Sequence, residues 1–125
     1  MTPAESRKQT VLVVDDDAIL RELLARVLVD EGYAVLTAED GEQALAIATT
    51  LDGQLGLVVT DILLPVMDGL ELAARLAYLK PPPPVMFMSG FTDDRDVPGP
   101  MLAKPFGPTA FIEQVGRMLS SVQHH

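Results

Sequence analysis

The sequence contains no cysteine, which excludes disulfides, thiolate metal sites and cysteine nucleophiles. It also lacks any apolar run near the roughly 18–20 residues that a membrane-spanning helix requires. The polar stretch Met1 to Thr10 carries Arg7 and Lys8, and nothing after it resembles the apolar segment of a signal peptide. Positive charge is scarce: 9 Lys and Arg stand against 18 Asp and Glu, a net charge of -9. No basic face is available to neutralise phosphates, so nucleic-acid binding by this domain is not expected. A soluble, cytoplasmic protein without a membrane partner is expected. The acidic balance suits a divalent cation or a basic partner, although solubility alone accounts for it equally well.

What remains is a chain of 125 residues, 48% of them apolar, the size and composition of one globular domain. Thr10-Val11-Leu12-Val13-Val14 is apolar on both faces and reads as a buried strand of a parallel sheet. It stops at Asp15-Asp16-Asp17. Ile19, Leu20, Leu23, Leu24, Val27 and Leu28 then recur with helical spacing, with Asp17 as cap and Gly32 as terminator. The alternation repeats. Strands are expected at Tyr33 to Ala38, Leu57 to Thr60 (ending at Asp61), Val85 to Met88 and Met101 to Ala103. Helices are expected from Asp40-Gly41 to Asp52-Gly53, from Asp68-Gly69 through Leu79, and from Pro108 through Val122. The tetraproline Pro81 to Pro84 reads as a stiff connection rather than a linker, and the methionines, such as Met86 and Met88, as core packing. Residues 1–9 are expected to be a flexible leader, 10–122 the domain, and 123–125, with His124 and His125, a disordered tail or tag remnant.

Strand and helix alternating in this way imply an α/β fold, a doubly wound five-stranded parallel sheet in the flavodoxin-like order 2-1-3-4-5. Sites in such sheets form beyond the carboxyl ends of the strands, where the strand order reverses. Those ends carry Asp15, Asp16 and Asp17 after the first strand, Asp61 after the third, Ser89 after the fourth and Lys104 after the fifth. Crowded carboxylates repel one another unless a cation compensates. Ligands that are oxygen only, and few, favour Mg²⁺, which accepts one or two carboxylates plus a phosphate oxygen. Lys104 supplies a second positive charge and Ser89 a hydroxyl. Nucleophile, metal, cation and hydroxyl are the parts required for phosphoryl transfer to a carboxylate.

These residues carry a resemblance. Asp15-Asp16, Asp61 within Thr-Asp-Ile-Leu-Leu-Pro-Val-Met-Asp-Gly, Ser89 within Met-Ser-Gly, and Lys104-Pro-Phe are similar to the motifs of bacterial response-regulator receiver domains. The likeness runs from about Thr10 to Val122 and includes the receivers of hybrid sensor histidine kinases. It implies a stoichiometric phosphoacceptor rather than a turnover enzyme, loaded on Asp61 by a sensor histidine kinase or a histidine phosphotransfer protein. It further implies Mg²⁺, with Mn²⁺ as substitute, bound by Asp16, Asp61 and the Leu63 backbone carbonyl, and by Asp15 largely through water. Lys104, before a cis Pro105, would pair with Asp61 and then with the phosphoryl group, and Ser89 would be the switch hydroxyl.

Two departures from the family pattern stand out. The aromatic residue usual shortly before the lysine is absent, and Met101 takes its place. Only residues 89–100 separate the last two strands, so a helix there is at most a turn or two, around Thr92 to Val97. Little helical surface remains for self-association beyond a weak homodimer, and any output activity is expected on another chain or another part of a longer one. The alternative in a different class is a phosphorylation-independent pseudo-receiver, a pure binding module. A haloacid-dehalogenase-type phosphotransferase would want a threonine after its second aspartate, and a flavodoxin-type electron carrier a Ser/Thr-rich phosphate loop.

Overall fold

The computed structural model describes residues 9–51, 53–90 and 97–123. Five strands, β1 (Thr10–Val14), β2 (Ala34–Ala38), β3 (Leu55–Asp61), β4 (Val85–Ser89) and β5 (Met101–Ala103), form one parallel sheet in the order β2-β1-β3-β4-β5. Among the described residues four helices accompany them: α1 (Ala18–Asp30), α2 (Gly41–Leu51), α3 (Gly69–Leu76) and α4 (Pro108–Gln123).

Successive side chains of a strand point to opposite faces, which divides the core in two. On one face Val11, Val13, Leu57, Val59, Met86 and Met88 pack against Leu24 and Leu28 of α1 and Phe111, Val115 and Leu119 of α4. On the other, Leu12, Val14, Ala38 and Val58 pack against Ala44 and Ala48 of α2 and Leu72 and Leu76 of α3. The central strand β3 is buried at every position because both of its faces are covered.

The helix ends explain how chain direction is controlled. Asp17 caps α1, its carboxylate accepting from the amides of Ile19 at 3.0 Å and Leu20 at 3.2 Å. At the other end Gly32, at φ 97°, donates to the Val29 carbonyl and Tyr33 donates to that of Leu28. This pair is a Schellman termination, which turns the chain into β2. Asp68 caps α3 through the Glu71 amide at 2.9 Å.

Three expectations need correction. β3 starts at Leu55, not Leu57, because Gly56 continues the strand beside the Gln9 side chain, with which a Cβ at Gly56 would collide. α3 stops at Leu76, and Leu79 lies in a turn whose amide reaches the Leu76 carbonyl at 3.0 Å. Met101 is not core: it is 44% exposed, since β5 is a three-residue edge strand with β4 as its one neighbour. The short helix expected around Thr92 to Val97 falls largely on residues 91–96, outside the described residues, and residues 97–100 carry no helix. Residues 1–8 and 124–125 also lie outside them. Among the described residues no helix is long and apolar enough to cross a membrane.

Gly69 opens α3 directly beneath β3. A Cβ there would press on the Asp61 carbonyl and the Ile62 Cα, both backbone atoms that cannot move aside cheaply. Gly116, inside α4, has nothing within 4 Å of its would-be Cβ. Gly69→Ala is therefore expected to destabilise the domain by roughly 1–3 kcal/mol. Gly116→Ala is expected to stabilise it by about 0.5–1 kcal/mol. Urea melts of the two variants against the parent check both signs.

Candidate functional site

The residues expected to carry chemistry stand along one rim, each where a strand ends. β1 continues into Asp15 through the Asp15 amide, which donates to the Ala38 carbonyl at 3.1 Å, and the Asp15 residue is fully buried. β3 delivers Asp61, 9% exposed, beside Thr60, whose buried hydroxyl donates to the Asp61 carbonyl at 2.9 Å. β4 ends on buried Ser89, whose hydroxyl donates to the Gly90 carbonyl at 3.0 Å. One residue past β5, the Lys104 amide donates to the Ser89 carbonyl at 2.7 Å, extending the β4–β5 pairing to the rim. The Lys104–Pro105 peptide is cis.

From that position Lys104 reaches two carboxylates at once. Its Nζ lies 2.8 Å from Asp61 Oδ2 and 3.2 Å from Asp15 Oδ2. The remaining oxygens are held by backbone amides: Asp15 Oδ1 accepts from Asp17 at 2.9 Å and Asp61 Oδ1 from Leu63 at 3.3 Å. Asp16, exposed, completes an acidic trio in which carboxylate oxygens of Asp15, Asp16 and Asp61 all lie within 4.8 Å of one another.

The charges of this cluster act on one another. Burial, reinforced by the nearby Asp61 charge, pushes the Asp15 carboxyl above the ordinary carboxylate range, against the opposing pull of the Asp17 amide and Lys104. Burial alone would lower Lys104. Its hydrogen bond to Asp61 and the charges of Asp15 and Asp61 outweigh that effect and hold the ammonium above its usual value. Lys104 therefore stays charged at neutral pH, and the trio retains a negative surplus that suits a hard divalent cation with oxygen ligands.

Asp15, Asp16, Asp61, Ser89 and Lys104 are thus gathered as the strand ends predict, while Asp17 and Asp68 are helix caps. Leu63 contributes an amide to Asp61, and its side chain is exposed. Sequence reasoning missed Arg21, whose Nη1 donates to the Asp15 carbonyl at 2.8 Å. Its spacing six residues beyond Asp15, inside an otherwise ordinary amphipathic helix, gave no signal. It also missed the conformation of the loop after Asp61. Val66 stands at φ 70°, and the Met67 amide turns back to the Pro65 carbonyl at 2.7 Å, a γ-turn that a β-branched residue adopts only under strain.

Comparison with known proteins agrees with this geometry. A family model described as the response regulator receiver domain matches residues 11–115. Response regulator receiver protein CpdR of Brucella abortus is 33% identical over 116 residues, covering 87% of this chain and 95% of CpdR. Sensor kinase CckA of the same organism is 35% identical over 121 residues, covering 91% of this chain and 13% of the kinase. The transcriptional regulatory protein YbdJ of Bacillus subtilis is 33% identical over 121 residues; the match takes in 92% of this chain and about half, 51%, of that regulator. Among solved structures, the receiver domain of hybrid histidine kinase CckA matches with a TM-score of 0.79 at 33% identity, covering 88% of this chain and 98% of that one. The CheY-like receiver domain protein of Methanospirillum hungatei gives 0.83 at 25% identity, covering 95% and 100%. Fold, rim and relatives converge, and the chain belongs to the response regulator receiver domain family of two-component systems.

Proposed function

We propose that this domain accepts a phosphoryl group on the Asp61 carboxylate, donated by a phosphohistidine of a sensor kinase or a histidine phosphotransfer protein. The observation that carries the reading is the Lys104 ammonium, 2.8 Å from Asp61 and 3.2 Å from Asp15, facing an acidic trio open on the Asp16 side. An Asp61 oxygen attacks phosphorus, the P–N bond of the donor breaks, and the imidazole leaves. Lys104 transfers its hydrogen bond from Asp61 to the incoming phosphoryl oxygens as their charge arrives. Ser89, at the end of the neighbouring strand, offers its hydroxyl to the same oxygens.

Asp15, Asp16 and Asp61, with the Leu63 carbonyl, are the residues that would hold Mg²⁺, or Mn²⁺ in its place. The bound ion would screen the repulsion between the carboxylates and the phosphoryl oxygens. The donor set fits, being all oxygen, clustered within 4.8 Å and negative in surplus. The chemistry is stoichiometric, one phosphoryl group per chain, and the domain acts by changing surface rather than by turnover.

Acetyl phosphate in Mg²⁺ is expected to add one phosphoryl group per chain, read by intact mass, and to add none in chelator. Asp61→Asn should abolish the addition; a variant still labelled at that site would refute the assignment.

Asp16→Asn is expected to weaken Mg²⁺ binding at least about tenfold, as loss of a carboxylate from so small a ligand set requires. Asp17→Asn should leave it almost unchanged, because asparagine caps a helix as well as aspartate. Calorimetric titration of the two variants side by side decides the matter, and equal losses would reverse the roles.

Asp15 yields a pH dependence. Its raised folded-state pKa means that its contribution to stability is present below the unfolded value and is lost as pH rises through the folded one. At neutral pH without metal, the buried Asp15 carboxyl therefore costs stability, and Asp15→Asn should raise Tm. The difference should shrink as pH falls below about 4, where the unfolded carboxyl is protonated too. Thermal melts in chelator across that range would contradict this if Asp15→Asn were the less stable protein at pH 7.

A further inference from the structure

One of the three clustered carboxylates has no anchor of its own. Asp15 is held by the Asp17 amide and Lys104, and Asp61 by Lys104 and the Leu63 amide. Among the described residues, Asp16 makes no side-chain hydrogen bond or ion pair, yet its carboxylate lies within 4.8 Å of the other two. Its aim is set by the backbone beneath it.

That backbone is pinned peptide by peptide. The Asp15 amide is fixed to the Ala38 carbonyl at 3.1 Å. The Asp17 amide is fixed to Asp15 Oδ1 at 2.9 Å. The Asp17 carbonyl accepts from the Arg21 amide at 2.9 Å, as the first turn of α1. Between these lies the peptide joining Asp15 to Asp16, and its carbonyl is gripped by the Arg21 side chain, Nη1 to Asp15 O at 2.8 Å, in a partly buried contact. The torsions on either side of that peptide, ψ of Asp15 and φ of Asp16, set the direction in which the Asp16 side chain leaves the backbone. The Arg21 guanidinium is the side-chain group bonded to the carbonyl between those two torsions.

We propose that Arg21 is a positioning residue for the cation site: by holding the Asp15 carbonyl it fixes the Asp15–Asp16 peptide plane and aims the Asp16 carboxylate at Asp15 and Asp61. The inference rests on the reading of Asp16 as a metal ligand. It carries a sign opposite to that of simple electrostatics. As a bare positive charge beside a cation site, Arg21 would repel the ion, and its removal would tighten binding. As the support of a ligand, its removal loosens binding, as the loss of outer-shell partners does in metal sites generally.

The test is Mg²⁺ titration of the full chain, by calorimetry and by amide NMR shifts, in a double-mutant cycle. Arg21→Met keeps the apolar stem and removes the donor, and is expected to weaken Mg²⁺ about tenfold. Arg21→Lys retains a donor for the carbonyl and should bind closer to the parent. In the Asp16→Asn background, Arg21→Met should add little further loss, because it acts through the residue already altered. Unchanged or tighter binding in Arg21→Met, or a full additional loss in the Asp16→Asn background, would overturn the inference. Should Arg21→Met not fold, Arg21→Gln, polar but too short to reach the carbonyl, carries the same expectation through the same cycle. The two readings fail differently. Asp16→Asn weakened and Arg21→Met unaffected removes the role of Arg21 alone. A parent that takes up no Mg²⁺, or an Asp16→Asn variant that binds like the parent, removes the metal site and this inference with it.

Discussion

The bridge from one ammonium to two carboxylates is the interaction on which the rim depends. Lys104 touches Asp15 and Asp61 together, and those residues end β1 and β3, neighbours at the point where the strand order reverses. Without that charge, two buried or nearly buried carboxylates would face each other across a low-dielectric gap, with a third at their side. The sheet order is thus matched to the electrostatics. It places the acids on central, doubly covered strands and brings the base in from β5 at the edge.

The core serves this arrangement by holding β1 and β3 rigid from both faces. Val11, Val13, Leu57 and Val59 are clamped by α1 and α4, and Leu12, Val14 and Val58 by α2 and α3. A carboxylate on such a strand end cannot relax away from its neighbours. The repulsion is therefore retained in the folded state rather than dissipated, and the Lys104 ammonium is what offsets it. Burial at the end of β1 is also what chiefly raises the Asp15 carboxyl, with the Asp61 charge adding to it.

Much of this was legible in the sequence, for physical reasons. Strands buried on both faces read as unbroken apolar runs, and helices between them read as stripes, so the element order and the sheet order followed from local pattern and handedness. Asp15, Asp16, Asp61, Ser89 and Lys104 were legible because strand ends are where such folds place sites. What was not legible depends on tertiary contact. Gly56 lies before the apolar run that reads as the third strand, yet it belongs to β3, where its missing side chain leaves room for that of Gln9. Met101 looked like core and proved exposed, because nothing local marks β5 as so short an edge. Arg21 looked like the polar face of a helix, and Val66 like an ordinary loop residue, until the backbone groups they serve or distort were in place.

The shortness of β5 has a consequence for how the domain opens. Edge strands of three residues are the first parts of a sheet to detach in local unfolding, long before the core between β1 and β3 is exposed to solvent. Lys104 follows that strand directly, its backbone tied to β4 by the amide hydrogen bond to the Ser89 carbonyl. Detachment of the edge would withdraw the ammonium from the acids while β1 and β3 stay paired. Amide exchange at Lys104 thus follows how tightly the acidic rim retains its partner, not how stable the domain is as a whole.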